Sequence, residues 1–227
     1  PTPGTPYDPA HAVALEDRTL RAGAVLIATG ANYRRLGAPG EERLIGKGVS
    51  FCATCDGALY RDQEIAMVGG GDTALSETIF LTRFARRVHL IHRRDAFRGA
   101  KYLQEQVLAH DKVTVHWDTV VEEFLGQEML EALKLKNVKT GEHSTLPVTG
   151  CFVAIGITPN TQWLGDLLPQ DEWGFLFTEA DMSTRIPGIF AAGDVRSKNL
   201  WQIATAVGEG AIAATAAEHY LEKIRRR

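Results

Sequence analysis

Nowhere does this sequence hold an apolar run of the about 18 residues that a helical membrane span needs. It has only three cysteines in 227 residues. That is too few for a secreted disulfide framework, and a close pair in a reducing compartment is more often redox-active. Charge of one sign is also missing: 25 Lys and Arg face 28 Asp and Glu, for a net charge of −3. A balance of that kind argues against nonspecific nucleic-acid binding. No basic-then-apolar leader opens the chain, which begins at Pro1. These absences lead us to expect a cytoplasmic protein with no membrane and no nucleic-acid partner. What is present is a hydrophobic share of 44% and 22 glycines, the composition of a glycine-rich α/β protein. The length allows one large or two small domains.

The informative stretch runs from Ser50 to Ala74. Cys52 and Cys55 form a C-x-x-C pair, followed at once by Asp56. Such a dithiol can carry two electrons as a disulfide/dithiol couple. Zinc would need two further ligands at suitable spacing. The only other cysteine, Cys151, sits in an apolar run, so no metal site is expected. Downstream lies Gly69-Gly70-Gly71-Asp72-Thr73-Ala74, a G-x-G-x-x-A turn. Alone that pattern is weak. Here Ile65–Val68 reads as a strand before it, Ala74–Phe84 has apolar residues at helical spacing after it, and Val88–Ile91 reads as the next strand. A turn between strand and helix holds a dinucleotide pyrophosphate through Gly69, Gly71, Asp72, Thr73 and Ala74.

The end of the second strand selects the nicotinamide. An acid there accepts from the ribose 2′-hydroxyl of NAD, whereas arginine faces the 2′-phosphate of NADP. This chain has His92-Arg93-Arg94, then Arg98. The arginine fork pairs with phosphate oxygens in bidentate fashion, so NADPH is the expected nucleotide. Dithiol and turn together suggest an enzyme moving reducing equivalents from a nicotinamide to a disulfide.

C-A-T-C-D-G, then G-G-G-D-T-A, then H-R-R-D-A-F-R, in this order and spacing, resembles the low-molecular-weight bacterial thioredoxin reductases. The resemblance covers essentially the whole chain. It implies an α/β fold: a Rossmann-like, three-layer nucleotide-binding domain of the FAD/NAD(P)-binding type, plus an incomplete FAD-binding domain. Residues 1–34 would be the first segment of the FAD domain. Residues 35–158 would bind NADPH and carry the redox disulfide, and residues 159–227 would complete the FAD part.

Along the chain, Ala12–Leu20 reads as a strand and turn, and Ala24–Gly30 as a buried strand ending A-T-G. By resemblance Thr29 and Gly30 pass beside FAD. Ala31–Lys47 reads as a loop with Pro39-Gly40 turn chemistry. Gly99–His110 reads as an amphipathic helix. Val113–Trp117, Glu122–Leu125 and Ala132–Val138 read as strands of an antiparallel layer, with Lys139–Glu142 as a hairpin turn. Leu146–Ile157 reads as one buried strand, and by resemblance Gly156 and Ile157 approach the nicotinamide. Trp173–Phe177 and Met182–Arg185 read as short extended pieces, and Ile189–Asp194 as a strand ending Gly193-Asp194. In the family such a Gly-Asp places its carboxylate on the flavin's ribityl chain. Gln202 and Ile203 precede an alanine-rich helix over Val207–Leu221, whose N-terminus would face the flavin. Lys223–Arg227 reads as a solvated tail.

Two features depart from the family pattern. Trp201-Gln202 stands where the family has Arg-Gln. The strand–turn–helix for the flavin pyrophosphate, which opens complete members, is not found before Ala24. The flavin-side strands are therefore expected to expose edges and an apolar face, so that part is expected to rearrange, dimerise or depend on another chain. By resemblance, Cys55 faces the flavin, Cys52 attacks the disulfide of thioredoxin and Asp56 is the acid/base. Rotation near Ala31–Leu36 and Thr158–Asn160 would alternate the two halves of the reaction, in a homodimer. The alternatives are an NADP(H)-binding fragment without activity of its own, and a related flavoprotein serving a peroxiredoxin or other small redox protein.

Overall fold

The computed structural model describes residues 11–225. In chain order it has strands β1 (His11–Ala14), β2 (Thr19–Ala22), β3 (Val25–Ile27) and β4 (Ala31–Tyr33), then helix α1 (Glu41–Leu44), β5 (Val49–Ser50) and α2 (Ala53–Asp56). There follow β6 (Glu64–Gly69), α3 (Asp72–Leu81), β7 (Arg87–Ile91), α4 (Lys101–Ala109), β8 (Val113–His116), β9 (Thr119–Leu125), β10 (Ala132–Asn137), β11 (His143–Pro147) and β12 (Gly150–Ala154). The chain closes with β13 (Ile157–Pro159), β14 (Ile189–Ala191) and α5 (Ile203–Arg225). Two compact units result: residues 33–156, and residues 11–32 with 157–225.

The 33–156 unit is built in three layers around a five-stranded sheet of order β5-β12-β6-β7-β8. Every pairing in it is parallel. Strand residues alternate between faces, as the period of two requires. Ile65, Met67, Val88, Leu90 and Phe152 face α3 and α4, meeting Leu75, Leu81, Leu103 and Val107. Ala66, Val68, Ile91, Cys151 and Val153 face the other way, onto Val121, Phe124, Leu133 and Leu135 of the antiparallel sheet β11-β10-β9. With both faces covered, these strands read as continuous apolar runs.

The other unit holds the hairpin β1–β2, the parallel pair β3–β14 and the long helix α5. α5 packs Ala213 and Tyr220 against Met182, Phe190 and Ala192. Its N-terminal turn is open to solvent, with Ile203 84% exposed.

Several elements differ from the sequence-based expectation. Val113–His116 joins the parallel sheet beside β7 rather than the antiparallel layer, because α4 carries the chain back to the start of the sheet. The run expected as one strand over Leu146–Ile157 falls on three strands in three sheets: the end of β11, all of β12 and the first residue of β13. At the crossing from β11 to β12, Val148 N–H donates to Glu131 O, extending the β10–β11 register, and Thr149 N–H donates to Glu64 O, beginning the β6–β12 register. The Ala31–Lys47 loop contains β4 and α1. Glu41, buried, accepts the Leu36 and Gly37 amides at 3.0 and 2.7 Å and folds that segment locally. The A-T-G strand is shorter than expected, and Leu26 in it is 40% exposed. α5 starts at Ile203 rather than Val207, where the Thr205 hydroxyl accepts the Gln202 amide at 3.3 Å. It continues through Arg225, taking in part of the expected tail; Arg226 and Arg227 lie outside the described residues.

Candidate active site

In a parallel sheet, ligands bind outside the carboxyl ends of the strands. Here Gly69 ends β6 opposite Ala154 of β12, and Val68 pairs Ile91 of β7. The Gly69–Ala74 turn, the His92 segment and Gly156 therefore leave the sheet at the same end. The turn is shaped by close packing. A Cβ at Gly69 would lie 2.5 Å from both Ala154 O and the Ala74 Cβ. One at Gly70 would run into the His92 ring. Gly71 is different: its added Cβ would meet only Arg98 Nη2, at 3.5 Å. The protein leaves space there, as a site needs where a pyrophosphate approaches the backbone.

Asp72 and Thr73 open α3 and are exposed, whereas Ala74 is buried against the sheet. Asp72 Oδ1 accepts the Ala100 amide at 2.7 Å, tying α3 to the segment before α4. His92 braces the turn: its Nδ1 lies 2.9 Å from Gly69 O and its Nε2 3.0 Å from Ala96 O. Arg93, Arg94 and Arg98 are exposed, and the Arg98 amide donates to Gly70 O at 2.9 Å. The Arg98 guanidinium thus stands beside Gly71, just ahead of the α3 N-terminus where a phosphate is favoured, and Arg93 and Arg94 follow β7 in the chain. Gly156 O accepts the Arg34 amide at 2.9 Å, with φ of 122° at Gly156 itself.

The cysteine pair precedes this turn. Cys52 and Cys55 form a disulfide. Cys52 is half-buried and Cys55 exposed. Cys52 N–H donates to Ser50 Oγ at 3.1 Å. Cys55 N–H donates to Cys52 Sγ at 3.1 Å, and Asp56 N–H to Cys52 O at 3.1 Å. Asp56, half-buried, accepts the Ser50 hydroxyl at 2.6 Å. Burial raises the Tyr60 phenol, with the Asp56 charge adding to the effect. Burial pushes Glu77 from 4.5 up to about 7, the Ala53 amide working against it. The third thiol, Cys151, is fully buried, which raises its pKa and leaves no reactive thiolate.

Ser50 and Glu77 were not singled out from the sequence. Serine two residues before a cysteine has no local signature. Glu77 reaches Ala53 only because α3 packs on α2.

The other expected residues lie in the second unit. Thr29 Oγ1 donates to Asn160 O at 2.8 Å, Asn160 Nδ2 donates to Thr29 O at 2.8 Å, and the Asn160 amide donates to Gly30 O at 2.9 Å. Ile157 opens β13, which pairs with β4. Gly193, at φ 79°, gives its amide to Glu209 Oε2 at 2.8 Å. Glu209 also meets Arg196 at 2.8 Å and Lys198 at 3.3 Å. Lys198 Nζ stands 3.3 Å from Asp194 Oδ1, near enough for attraction but outside hydrogen-bond geometry. That buried carboxylate oxygen therefore has no hydrogen bond, and a polyol hydroxyl would satisfy it. Gln202 immediately precedes α5 and Ile203 is its first residue. Beside them Trp201 packs on Phe175 at 5.1 Å, its Nε1 buried without a partner.

Comparison with known proteins places these features in a family. Residues 4–210 match the family described as pyridine nucleotide-disulphide oxidoreductase. The thioredoxin reductase of Listeria innocua serovar 6a is 44% identical over 214 residues, covering 94% of this chain and 67% of that protein. That of Streptomyces coelicolor is 48% identical over 202 residues, covering 88% and 63%. The crystal structure of thioredoxin reductase from Streptococcus pyogenes MGAS5005 superposes with a TM-score of 0.90 at 49% identity, covering 93% of this chain and 70% of that one. This chain thus spans about two thirds of the length of these relatives.

Proposed function

Since the chain belongs to the pyridine nucleotide-disulphide oxidoreductases, among the thioredoxin reductases, we propose that it passes reducing equivalents from NADPH through FAD and the Cys52–Cys55 disulfide to thioredoxin. One observation carries this reading. The helix that opens on the dinucleotide turn, α3, also packs against α2, the helix that carries Cys55, so both ends of the electron path rest on one element.

In this reading Gly69, Gly71, Asp72, Thr73 and Ala74 hold the NADPH pyrophosphate. Arg93, Arg94 and Arg98 face its 2′-phosphate, with His92 behind them, and Gly156 and Ile157 line its nicotinamide end. Thr29, Gly30, Gly193, Asp194, Gln202 and Ile203 hold FAD. The unsatisfied Asp194 Oδ1 supports that placement. FAD supplies, when bound, the relay of an electron pair from hydride to disulfide. Asp56 takes or returns the proton of the dithiol, work that general acid–base groups accelerate by about 10²–10⁴-fold. Residues 1–34 and 159–227 form the FAD-binding part and residues 35–158 the NADPH and redox part. The enzyme works in the cytoplasm as a homodimer, as the family resemblance implies.

The span of the chain favours a second reading, an NADP(H)-binding piece that lacks activity on its own. One experiment separates the two. The protein is supplied with FAD and its visible spectrum recorded, then wild type and Cys55→Ser are assayed with NADPH. Under the first reading flavin bands appear, and Cys55→Ser keeps NADPH oxidation by an artificial acceptor while losing thioredoxin reduction. Absent bands favour the second reading, and loss of both activities contradicts the division of labour.

A further inference from the structure

We infer that Ser50 is the positioning residue of the dithiol's acid/base, holding the Asp56 carboxyl in place in both of its protonation states. The inference rests on the redox reading of Cys52–Cys55. Ser50 is the last residue of β5, buried at 7% exposure, so its hydroxyl stands on the sheet rather than on the turn that reacts. Three groups converge on that one hydroxyl: Asp56 Oδ2 at 2.6 Å, the Cys52 amide at 3.1 Å and Cys52 O at 3.5 Å. A hydroxyl has one proton to give and two lone pairs to receive. The Cys52 amide occupies one lone pair. The single proton has two claimants, and the 2.6 Å contact to a carboxylate outweighs the 3.5 Å contact to a carbonyl.

The arrangement has a second state that needs no movement of heavy atoms. When Asp56 gains a proton on Oδ2, the carboxylic acid donates into the free lone pair of Ser50. The Ser50 proton then turns to Cys52 O. The carboxyl keeps one partner through the whole cycle, and the same oxygen fixes the backbone at Cys52. A carboxyl without that partner would turn about its χ angles and lose its alignment with the cysteine pair, which is the loss that an oriented acid/base avoids.

The step served is thiol–disulfide exchange. Cys52 gives its thiol proton to the Asp56 carboxylate, and its sulfur bonds to one sulfur of an external disulfide. The broken S–S pair leaves on the other sulfur as a thiolate. Cys55 then displaces the remaining half as a second thiolate, its own proton passing to solvent, and the Cys52–Cys55 disulfide closes. Two protein thiols are oxidised and one external disulfide is reduced.

The test uses the whole chain, reduced with dithiothreitol and desalted, then mixed with 2-hydroxyethyl disulfide. Neither NADPH, FAD nor thioredoxin takes part. A negative result here therefore leaves the proposed function standing, and failure of NADPH-linked reduction leaves this inference standing. The rate of Cys52–Cys55 closure is followed by trapping free thiols. We expect Asp56→Asn to slow closure by about 10²-fold, the low end of the range for such a group. Ser50→Ala slows it about tenfold when Asp56 is present but less than about twofold when Asp56→Asn is already in place, the non-additivity of two residues acting as one unit. Ser50→Thr, which keeps the hydroxyl, stays within about threefold of wild type. Equal slowing by Ser50→Ala in both backgrounds overturns the inference, since a general loosening of the turn would act regardless of Asp56. So does an unchanged Ser50→Ala rate. If Ser50→Ala does not fold, the Thr variant decides: closure as slow as in Asp56→Asn overturns the inference, and near-wild-type closure upholds it.

Discussion

Glu77 shows what a single carboxyl costs when a fold half-buries it. Its pKa rises from 4.5 to about 7, chiefly through burial and against the pull of the Ala53 amide. A raised acid is favoured in its neutral form, so the native state binds more protons than the unfolded chain between those two values. The contribution of Glu77 to stability is therefore greatest below about pH 4.5 and declines as pH climbs to about 7. Glu77→Gln keeps an acceptor for the Ala53 amide and carries no charge. We expect it to be more stable than wild type by roughly 2 kcal/mol near pH 8, with the gap closing toward pH 5. That figure is set below the full shift because the group keeps partial contact with water. Denaturant melts of both proteins at the two pH values check this, and a gap that does not change with pH contradicts it. Nothing near Glu77 in the sequence announces this role, which arises from packing between two helices. Cys151 was the opposite case. Its apolar neighbours alone indicated a buried thiol, and it is fully buried.

Among the elements, β6, the glycine turn, α3 and β7 were the most legible. Two short apolar runs bracket a glycine-rich turn and a helical repeat, and each local signal agrees with its neighbours. Gly69 joins them, since its backbone lies against both the following helix and the neighbouring strand. Gly69→Ala puts a methyl 2.5 Å from Ala154 O and from the Ala74 Cβ. Backbone cannot yield as a flexible side chain can, so we expect a loss of about 1–3 kcal/mol together with weaker NADPH binding, read by melting and by titration. Wild-type stability in this variant contradicts the packing account. Other elements were not legible for reasons that are themselves physical. β8 carries no mark of which sheet it joins, because parallel and antiparallel neighbours ask for the same β-branched residues. The break between β11 and β12 comes from a change of sheet at Val148–Thr149, within a run whose composition hardly changes. α1 depends on Glu41, a charged residue that the composition alone would place in water.

At the scale of the molecule, the two units differ in how they meet solvent. In the 33–156 unit the parallel sheet is covered on both faces. In the other unit Leu26, Ile203 and Val207 are exposed apolar residues, on β3 and the first turns of α5. No helix among the described residues is long and apolar enough to cross a membrane. Gly69–Ala74, His92, Arg93, Arg94, Arg98 and Gly156 all belong to the 33–156 unit, so the nucleotide preference they set can be measured on the chain itself. The measurement is a titration of NADPH and NADH into wild type and into the double variant Arg93→Ala/Arg94→Ala, by calorimetry. We predict that wild type binds NADPH at least about tenfold more tightly than NADH, a difference of about 1.4 kcal/mol, and that the double variant loses this preference while NADH binding holds. Equal affinities for the two nucleotides in wild type, or an unchanged preference in the variant, would contradict the account.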